Sequence, residues 1–168
     1  ELLFGDPGRL KRFDMSEYAT FESFERLLGV QGRPGLLTEA VKDSPFSVFL
    51  FDEIEKAHVN VFDLFLQLFD AGRLTDVAGR TSDFRRSIFL LTSNVGSALP
   101  TERTLGFGGG LPPPPDADST LKALRQVFRP EFLGRLDQVV TFRPLSEETA
   151  EWIARREVTN VLERSGLT

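Results

Sequence analysis

The segment from Ser47 to His58, SVFLFDEIEKAH, is an unbroken apolar run that ends in two adjacent carboxylates. A strand that is apolar at every position is typical of parallel sheets in α/β proteins, because other elements cover both of its faces. Acids at the carboxyl end of such a strand lie where open α/β sheets bind their ligands. We therefore predict a buried parallel strand whose end presents Asp52 and Glu53, residues suited to holding a divalent cation and polarising a water.

A second apolar run, SIFLLT from Ser87 to Thr92, precedes Ser93 and Asn94 and predicts a second parallel strand. Apolar spacing and turn residues predict further strands at Arg9 to Met15 and Val139 to Phe142. They also predict helices ending at Leu28, from Leu36 to Lys42, Val59 to Ala71, Ser119 to Phe128, and Ser146 to about Arg164. This alternation of strands and helices indicates an α/β fold with a parallel sheet.

Composition limits the classes of function. The length of 168 residues suits one domain, or one domain with part of a second. A net charge of -5 argues against nucleic acid as the main partner. The absence of cysteine excludes disulfides and thiolate metal sites, so a cytoplasmic location is expected. No apolar stretch approaches the roughly 20 residues that span a bilayer, so no membrane partner is expected.

Several short motifs follow one another between Arg12 and about Leu145: FDMSEY, LTEAV, FLFDEIEKAH, GRLTD, GRTSDF, LLTSNVGS and FRPEFLGRLDQVVTFRPLS. In their residues and their order, these motifs closely resemble those of the AAA+ ATPases of the Clp and heat-shock disaggregase type, especially of their second ATPase module. The resemblance implies ATP hydrolysis with Mg²⁺ in a ring, hexameric in the family, that acts on polypeptide clients and in some members feeds a peptidase chamber.

The resemblance also implies roles for individual residues. Asp52 matches the Walker B aspartate, which holds Mg²⁺ near the nucleotide phosphates. Glu53 matches the catalytic glutamate, which activates the attacking water. Asn94 matches the sensor 1 residue, which contacts the γ-phosphate or that water. Arg135 matches the arginine finger, which acts on the nucleotide of the adjacent subunit.

Each of these residues has a simpler structural alternative. The acids at positions 52 and 53 could solvate a strand end or cap the next helix, and Asn94 could be a turn residue. Arg135 could form a surface ion pair, for instance with Asp137. For His58, which has no second imidazole near it in the sequence, we predict a structural role.

The chain departs from the family pattern in its phosphate-binding parts. No GxxxxGK[ST] motif occurs in the 168 residues, and the sensor 2 arginine of the helical lid is also absent. Together with a start at Glu1 rather than Met, this predicts a fragment that binds ATP weakly and does not hydrolyse it alone. The family's first strand would lie between the strand before Asn94 and the one near Val140, so the predicted sheet is incomplete.

The resemblance divides the chain into a truncated large α/β subdomain at residues 1–145 and the first helix of the helical lid at residues 146–168. Within the first part, a Gly- and Pro-rich stretch predicts a flexible insert at residues 105–118.

A further departure concerns the family's substrate-gripping pore loop. The corresponding link, Gly29 to Gly35, is about six residues shorter than in the family and has no aromatic residue. This favours an alternative function, a divergent regulatory or scaffolding ring subunit that binds partners without threading polypeptide. A AAA+ transcription activator is a third possibility, which the motif wording matches less well.

Overall fold

The computed structural model describes residues 5–96, 117–142 and 145–164. In chain order, its strands are β1 (Leu10–Asp14), β2 (Gly29–Val30), β3 (Arg33–Pro34), β4 (Val48–Asp52), β5 (Arg73–Thr75), β6 (Thr81–Asp83) and β7 (Ile88–Leu91). Its helices are α1 (Phe21–Leu28), α2 (Leu36–Asp43), α3 (Val59–Ala71), α4 (Ala117–Val127), α5 (Pro130–Leu133) and α6 (Glu147–Arg164). Short 3₁₀ turns occupy Pro7–Arg9, Met15–Tyr18 and Ile54–Lys56.

The central element is a parallel sheet with the strand order β1-β4-β7. The three strands lie in register, so that Phe51 of β4 is opposite both Phe13 of β1 and Leu91 of β7. Each is linked to the next by helical segments, as parallel neighbours require. The predicted α/β fold with a parallel sheet is therefore confirmed.

Phenylalanine side chains connect the sheet to α3. The Phe51 ring meets Phe65 edge-on with ring centroids 4.6 Å apart, and Phe89 meets Phe69 in the same manner at 5.6 Å. Phe51 and Phe65 have no exposed surface. Such aromatic pairs contribute about 0.5–1.5 kcal/mol beyond the apolar area that they bury, so this face of the sheet forms the stable core.

The opposite face of the sheet is largely exposed, although the sequence predicted that both faces of β4 are covered. Its apolar side chains Leu10, Ile88 and Leu90 are 50%, 40% and 50% exposed. Only the face that carries Phe49 and Phe51 packs against helices, because the described residues supply no element to cover the other. The apolar run predicted that both faces of β4 are buried. In the described part of the chain, only one face is covered by other elements.

Two leucines on opposite sides of this arrangement test it. We expect Leu68→Ala, on the core face of α3, to lower the free energy of unfolding by about 2–5 kcal/mol, because a buried leucine leaves a cavity. The matched change Leu90→Ala on the open face should cost less than about 1 kcal/mol, because half of that side chain is already in water. Chemical denaturation of the 168-residue polypeptide measures both values, and equal losses would contradict the one-sided core.

The predicted strand from Val139 to Phe142 is wrong, because these residues have no strand structure. Val140 is 63% exposed and Phe142 89% exposed. A strand needs a neighbour to pair its N–H and C=O groups, and no strand of the described residues lies beside this segment. The apolar pattern is present, but the partner that would turn it into a strand is not among these residues.

Two polar links form short antiparallel hairpins. The stretch from Leu74 to Arg86 contains the antiparallel hairpin β5–β6. The link from Gly29 to Gly35 is also a tight hairpin, β2–β3, rather than an open loop. Gly29 has φ +91, and a Cβ there would meet the Gly35 nitrogen at 2.6 Å, so this close turn requires glycine.

Most helix ends lie within one residue of the positions that the sequence predicts. Gly72 ends α3 in the left-handed conformation, and the Ser146 hydroxyl accepts a hydrogen bond from the Thr149 N–H before α6. Ser119, the predicted start of a helix, is instead in the first turn of α4, which begins at Ala117. Most of the predicted insert, residues 105–116, lies outside the described residues. Among the described helices, none combines the length and apolar character needed to cross a bilayer.

Candidate active site

Asp52, Glu53 and Asn94 lie together where β4 and β7 end. Backbone hydrogen bonds continue beyond the last paired residues of the two strands. The Thr92 N–H donates to the Phe51 carbonyl at 2.9 Å, and the Ile54 N–H donates to the Thr92 carbonyl at 3.0 Å. These bonds keep the two strand ends side by side as they leave the sheet. The polar groups of both ends therefore face one shared region.

The Asp52 carboxylate has two side-chain partners. The Thr92 hydroxyl donates a hydrogen bond to one oxygen, and the Arg12 guanidinium of β1 forms an ion pair with the other. The Thr92 hydrogen bond and then the Arg12 interaction hold the pKa of Asp52 below its ordinary value, since both stabilise the charged form. Asp52 is therefore an anion at neutral pH, as a magnesium ligand must be.

Glu53 has an unusual backbone conformation. Its φ of 56 lies in the left-handed region, and among the described residues no other non-glycine residue has a positive φ. This conformation costs an ordinary residue roughly 1–2 kcal/mol, and strain of this kind concentrates at functional sites. It turns the Glu53 side chain away from the path of β4 and toward Asn94.

Both carboxylate oxygens of Glu53 are engaged. The Asn94 Nδ2 group donates to Oε1 at 3.2 Å, and the Lys56 ammonium donates to Oε2 at 2.6 Å. The Glu53 contact raises the pKa of Lys56, which therefore keeps its positive charge. The structure places Lys56 as the counter-ion of Glu53.

The backbone of Asn94 is held by a further acid. Its N–H donates to Glu55 Oε1 at 3.0 Å, while its side-chain amide reaches Glu53. The turn after β4 and the turn after β7 are thus joined through side chains as well as through backbone. Asn94 is not a simple turn residue, because both its backbone and its side chain contact acids of the other strand end.

Arg135 is not part of this cluster. Its guanidinium pairs with the Asp70 carboxylate at 2.7 Å, and both side chains are about half exposed. Asp70 is in the last turn of α3, whereas the acids lie near the first turn. At 1.5 Å per residue, roughly 16 Å of helix separates the two. The ion pair suggested by the sequence alone, with Asp137, is therefore replaced by one with Asp70.

His58 has the structural role predicted for it. Its Nδ1 accepts a hydrogen bond from the Asn60 N–H at 3.3 Å and so caps α3. Its ring also packs near Phe21 and Phe24, with ring centroids 5.9 and 6.1 Å away. The imidazole is thus occupied at the start of the helix.

The residues at the strand ends fit a magnesium site of the kind used with nucleotides. Mg²⁺ in such sites takes one or two carboxylates and completes its shell with waters and substrate phosphates. Asp52 supplies one anionic carboxylate whose side chain is 25% exposed, and the Thr92 hydroxyl stands next to it. Among the described residues, no cluster of three or more His, Cys, Asp or Glu side chains could hold a metal ion.

Sequence reasoning missed the polar neighbours of the acids. Thr92 and Arg12 both contact Asp52, yet neither was singled out as a site residue. The signal was present for Thr92, because Phe51 pairs in register with Leu91 and the residues that follow them, Asp52 and Thr92, are therefore adjacent. For Arg12, the contact depends on the order β1-β4, which the sequence does not specify.

Comparison with known proteins places the chain in a family. The profile of the AAA domain (Cdc48 subfamily) matches residues 1–139. Chaperone protein ClpB of Corynebacterium efficiens is 42% identical over 170 residues, which cover 98% of this chain and 18% of that protein. ClpB of Meiothermus ruber is 45% identical over 168 residues, covering 96% of this chain and 19% of that protein.

A third relative is named as a subunit of a protease rather than as a chaperone. The ATP-dependent Clp protease ATP-binding subunit ClpC of Staphylococcus aureus (strain USA300) is 42% identical over 174 residues, covering 98% of this chain and 21% of that protein. The chain thus spans about a fifth of the length of these curated relatives. Its sequence motifs, its parallel sheet and these matches all indicate the same family. The chain belongs to the AAA domain family, with the Clp-type ATPases as its relatives.

Proposed function

We propose that this chain is part of a Mg²⁺-dependent ATPase subunit that assembles into a hexameric ring and unfolds or disaggregates proteins. The observation that carries the proposal is the meeting of Asp52, Glu53 and Asn94 at one edge of the sheet, with the Asn94 amide on Glu53. The names of the relatives support the wider context, since one is called an ATP-binding subunit of a protease and another a chaperone protein. A peptidase chamber is accordingly one possible partner, and polypeptides are the proposed clients.

In this proposal, Glu53 acts on the attacking water. Its carboxylate orients the water and accepts a proton as the water oxygen bonds to the γ-phosphorus of ATP. The bond from that phosphorus to the β–γ bridging oxygen breaks, and ADP and phosphate are the products. Phosphoryl transfer depends mainly on positioning and on charge neutralisation, so the placement of Glu53 by Asn94 is a large part of its contribution.

Asp52 is the residue that would hold the magnesium ion, directly or through water. When bound, Mg²⁺ neutralises charge on the β- and γ-phosphates. Asp52 pairs with Arg12 in the structure described here, and its carboxylate stays charged through the Thr92 hydrogen bond as well. We propose that Arg135 leaves Asp70 to serve the nucleotide of the neighbouring subunit.

The phosphate cradle must come from outside residues 1–168, because no GxxxxGK[ST] motif occurs within them. We also propose that residues 1–145 belong to the large α/β subdomain and residues 146–168 to the helical lid. The α6 helix has no buried residue, which suits an element whose packing partners lie elsewhere.

The proposed activity is tested with the full-length protein and the 168-residue polypeptide in parallel. We expect the full-length protein to release phosphate from ATP catalytically, and only with Mg²⁺ present. The 168-residue polypeptide should show no turnover above buffer, because it lacks the phosphate-binding loop. A full-length protein that binds Mg–ATP without hydrolysing it would rule out the ATPase assignment.

The second candidate function is a regulatory or scaffolding ring subunit. The short β2–β3 hairpin favours it, because Gly29 to Gly35 contains no aromatic residue to grip a polypeptide. An unfolding assay with a stable fluorescent client separates the two functions. ATP-dependent loss of client fluorescence supports the unfoldase, and ATP hydrolysis without unfolding supports the regulatory subunit.

A further inference from the structure

We infer that Thr92 is a positioning residue whose hydroxyl fixes Asp52 and Glu53 relative to each other. Its Oγ1 donates a hydrogen bond to Asp52 Oδ1 and accepts one from the Glu53 N–H at 3.1 Å. A hydroxyl has one donor hydrogen and two acceptor lone pairs, so a single group can serve both bonds. The inference rests on the proposed ATPase function, in which those two acids have different roles.

The backbone around Glu53 shows why such a clamp is needed. Glu53 is in the left-handed conformation, so the backbone departs from the extended conformation of β4 immediately after Asp52. The Glu53 N–H bonds to the Thr92 side chain, whereas the next N–H, of Ile54, bonds to the Thr92 main-chain carbonyl at 3.0 Å. The first bond depends on the identity of residue 92, and the second is available to any residue there.

A change to valine isolates the contribution of the Thr92 hydroxyl. Valine has nearly the same shape as threonine and suits a strand end equally well, but it has no polar atom. Thr92→Val would leave the Glu53 N–H without this acceptor and would remove a donor from Asp52, without opening a cavity. Serine keeps the hydroxyl and loses only a methyl group, so Thr92→Ser is the matched control.

The first readout is catalytic and uses the full-length protein. We expect Thr92→Val to lower kcat for ATP about 10–100-fold, the usual effect of removing a group that orients a metal ligand or catalytic residue. KM should change less than about threefold, because Thr92 contacts the acids rather than the phosphate cradle. Thr92→Ser should stay within about threefold of the parent in both constants, and Thr92→Ala should behave like Thr92→Val.

The second readout needs no nucleotide. Amide hydrogen exchange, followed by mass spectrometry with residue-level fragmentation, should show the Glu53 N–H exchanging at least about tenfold faster in Thr92→Val. The Ile54 N–H should stay within about twofold of the parent, because its acceptor is a main-chain carbonyl. This pair of adjacent amides distinguishes loss of the clamp from general loosening of the turn.

The outcomes separate the inference from the proposed function. A parent-like kcat in Thr92→Val, a Thr92→Ser variant as slow as Thr92→Val, or equal acceleration of both amides would overturn the positioning role. A parent protein without ATPase activity would overturn the proposed function instead, and the exchange measurement would still decide whether the hydroxyl holds Glu53.

Discussion

Replacing Glu53 with glutamine in the full-length protein is expected to reduce ATP turnover by about 10²–10⁴-fold while ATP stays bound. Glutamine has the same shape and can still accept the hydrogen bond from the Asn94 amide, but it cannot take a proton from water. The expected product is a ring that retains unhydrolysed ATP. Steady-state phosphate release and the ratio of ATP to ADP in the recovered protein measure the two effects.

The matched control is Glu39→Gln, the same chemical change at an exposed position of α2. It should leave turnover within about twofold of the parent, because surface substitutions away from the site have small effects. Parent-like turnover in Glu53→Gln would mean that this carboxylate is not the base. In that case the contact with Asn94 would be purely structural.

The layout of the sheet could be predicted because it follows from local patterns. Apolar runs at β4 and β7, with helical spacing between them, are sufficient to indicate neighbouring parallel strands. The segment at Val139 to Phe142 has the same kind of pattern but no strand structure, since pairing depends on a partner that local sequence does not report. For the same reason, the exposure of Leu90 could not be foreseen.

The candidate site was predictable to a similar extent. Asp52 and Asn94 each follow an apolar run that predicts a parallel strand, and the carboxyl ends of parallel strands meet at one edge of a sheet. The hydroxyl of Thr92, the guanidinium of Arg12 and the ammonium of Lys56 complete the polar shell of the acids. Their positions depend on register, strand order and rotamers, which sequence spacing alone does not determine.

Replacing Arg135 with alanine is expected to reduce ATP turnover of the assembled full-length protein by about 10³-fold or more, the effect of losing an arginine finger. Its guanidinium would otherwise add positive charge to the transition state from the neighbouring subunit. If Arg135 were only the ion-pair partner of Asp70, Arg135→Ala would lower the free energy of unfolding by about 0.2–1 kcal/mol and would change ATP turnover little. Turnover and ring assembly should be measured on the same sample.

The fold offers a matched control in a second arginine that pairs with an aspartate of α3. Arg129 pairs with Asp63 of α3 at 2.9 Å, much as Arg135 pairs with Asp70 at 2.7 Å. Arg129→Ala therefore removes an equivalent surface ion pair and should leave turnover within about threefold of the parent. Asp70→Asn should also preserve activity, because it frees Arg135 without removing it. Equal losses in all three variants would identify the ion pairs as structural.

Mixed rings determine whether Arg135 acts on its own site or on that of a neighbour. Arg135→Ala and Glu53→Gln subunits are each expected to be inactive alone, but in a ring each supplies what the other lacks. If the guanidinium acts across the interface, random equal mixing gives about a quarter of sites with both groups intact, and activity should return to about that fraction. If it acts within its own subunit, no mixed site is complete and the mixture stays inactive, which would exclude the trans role of Arg135.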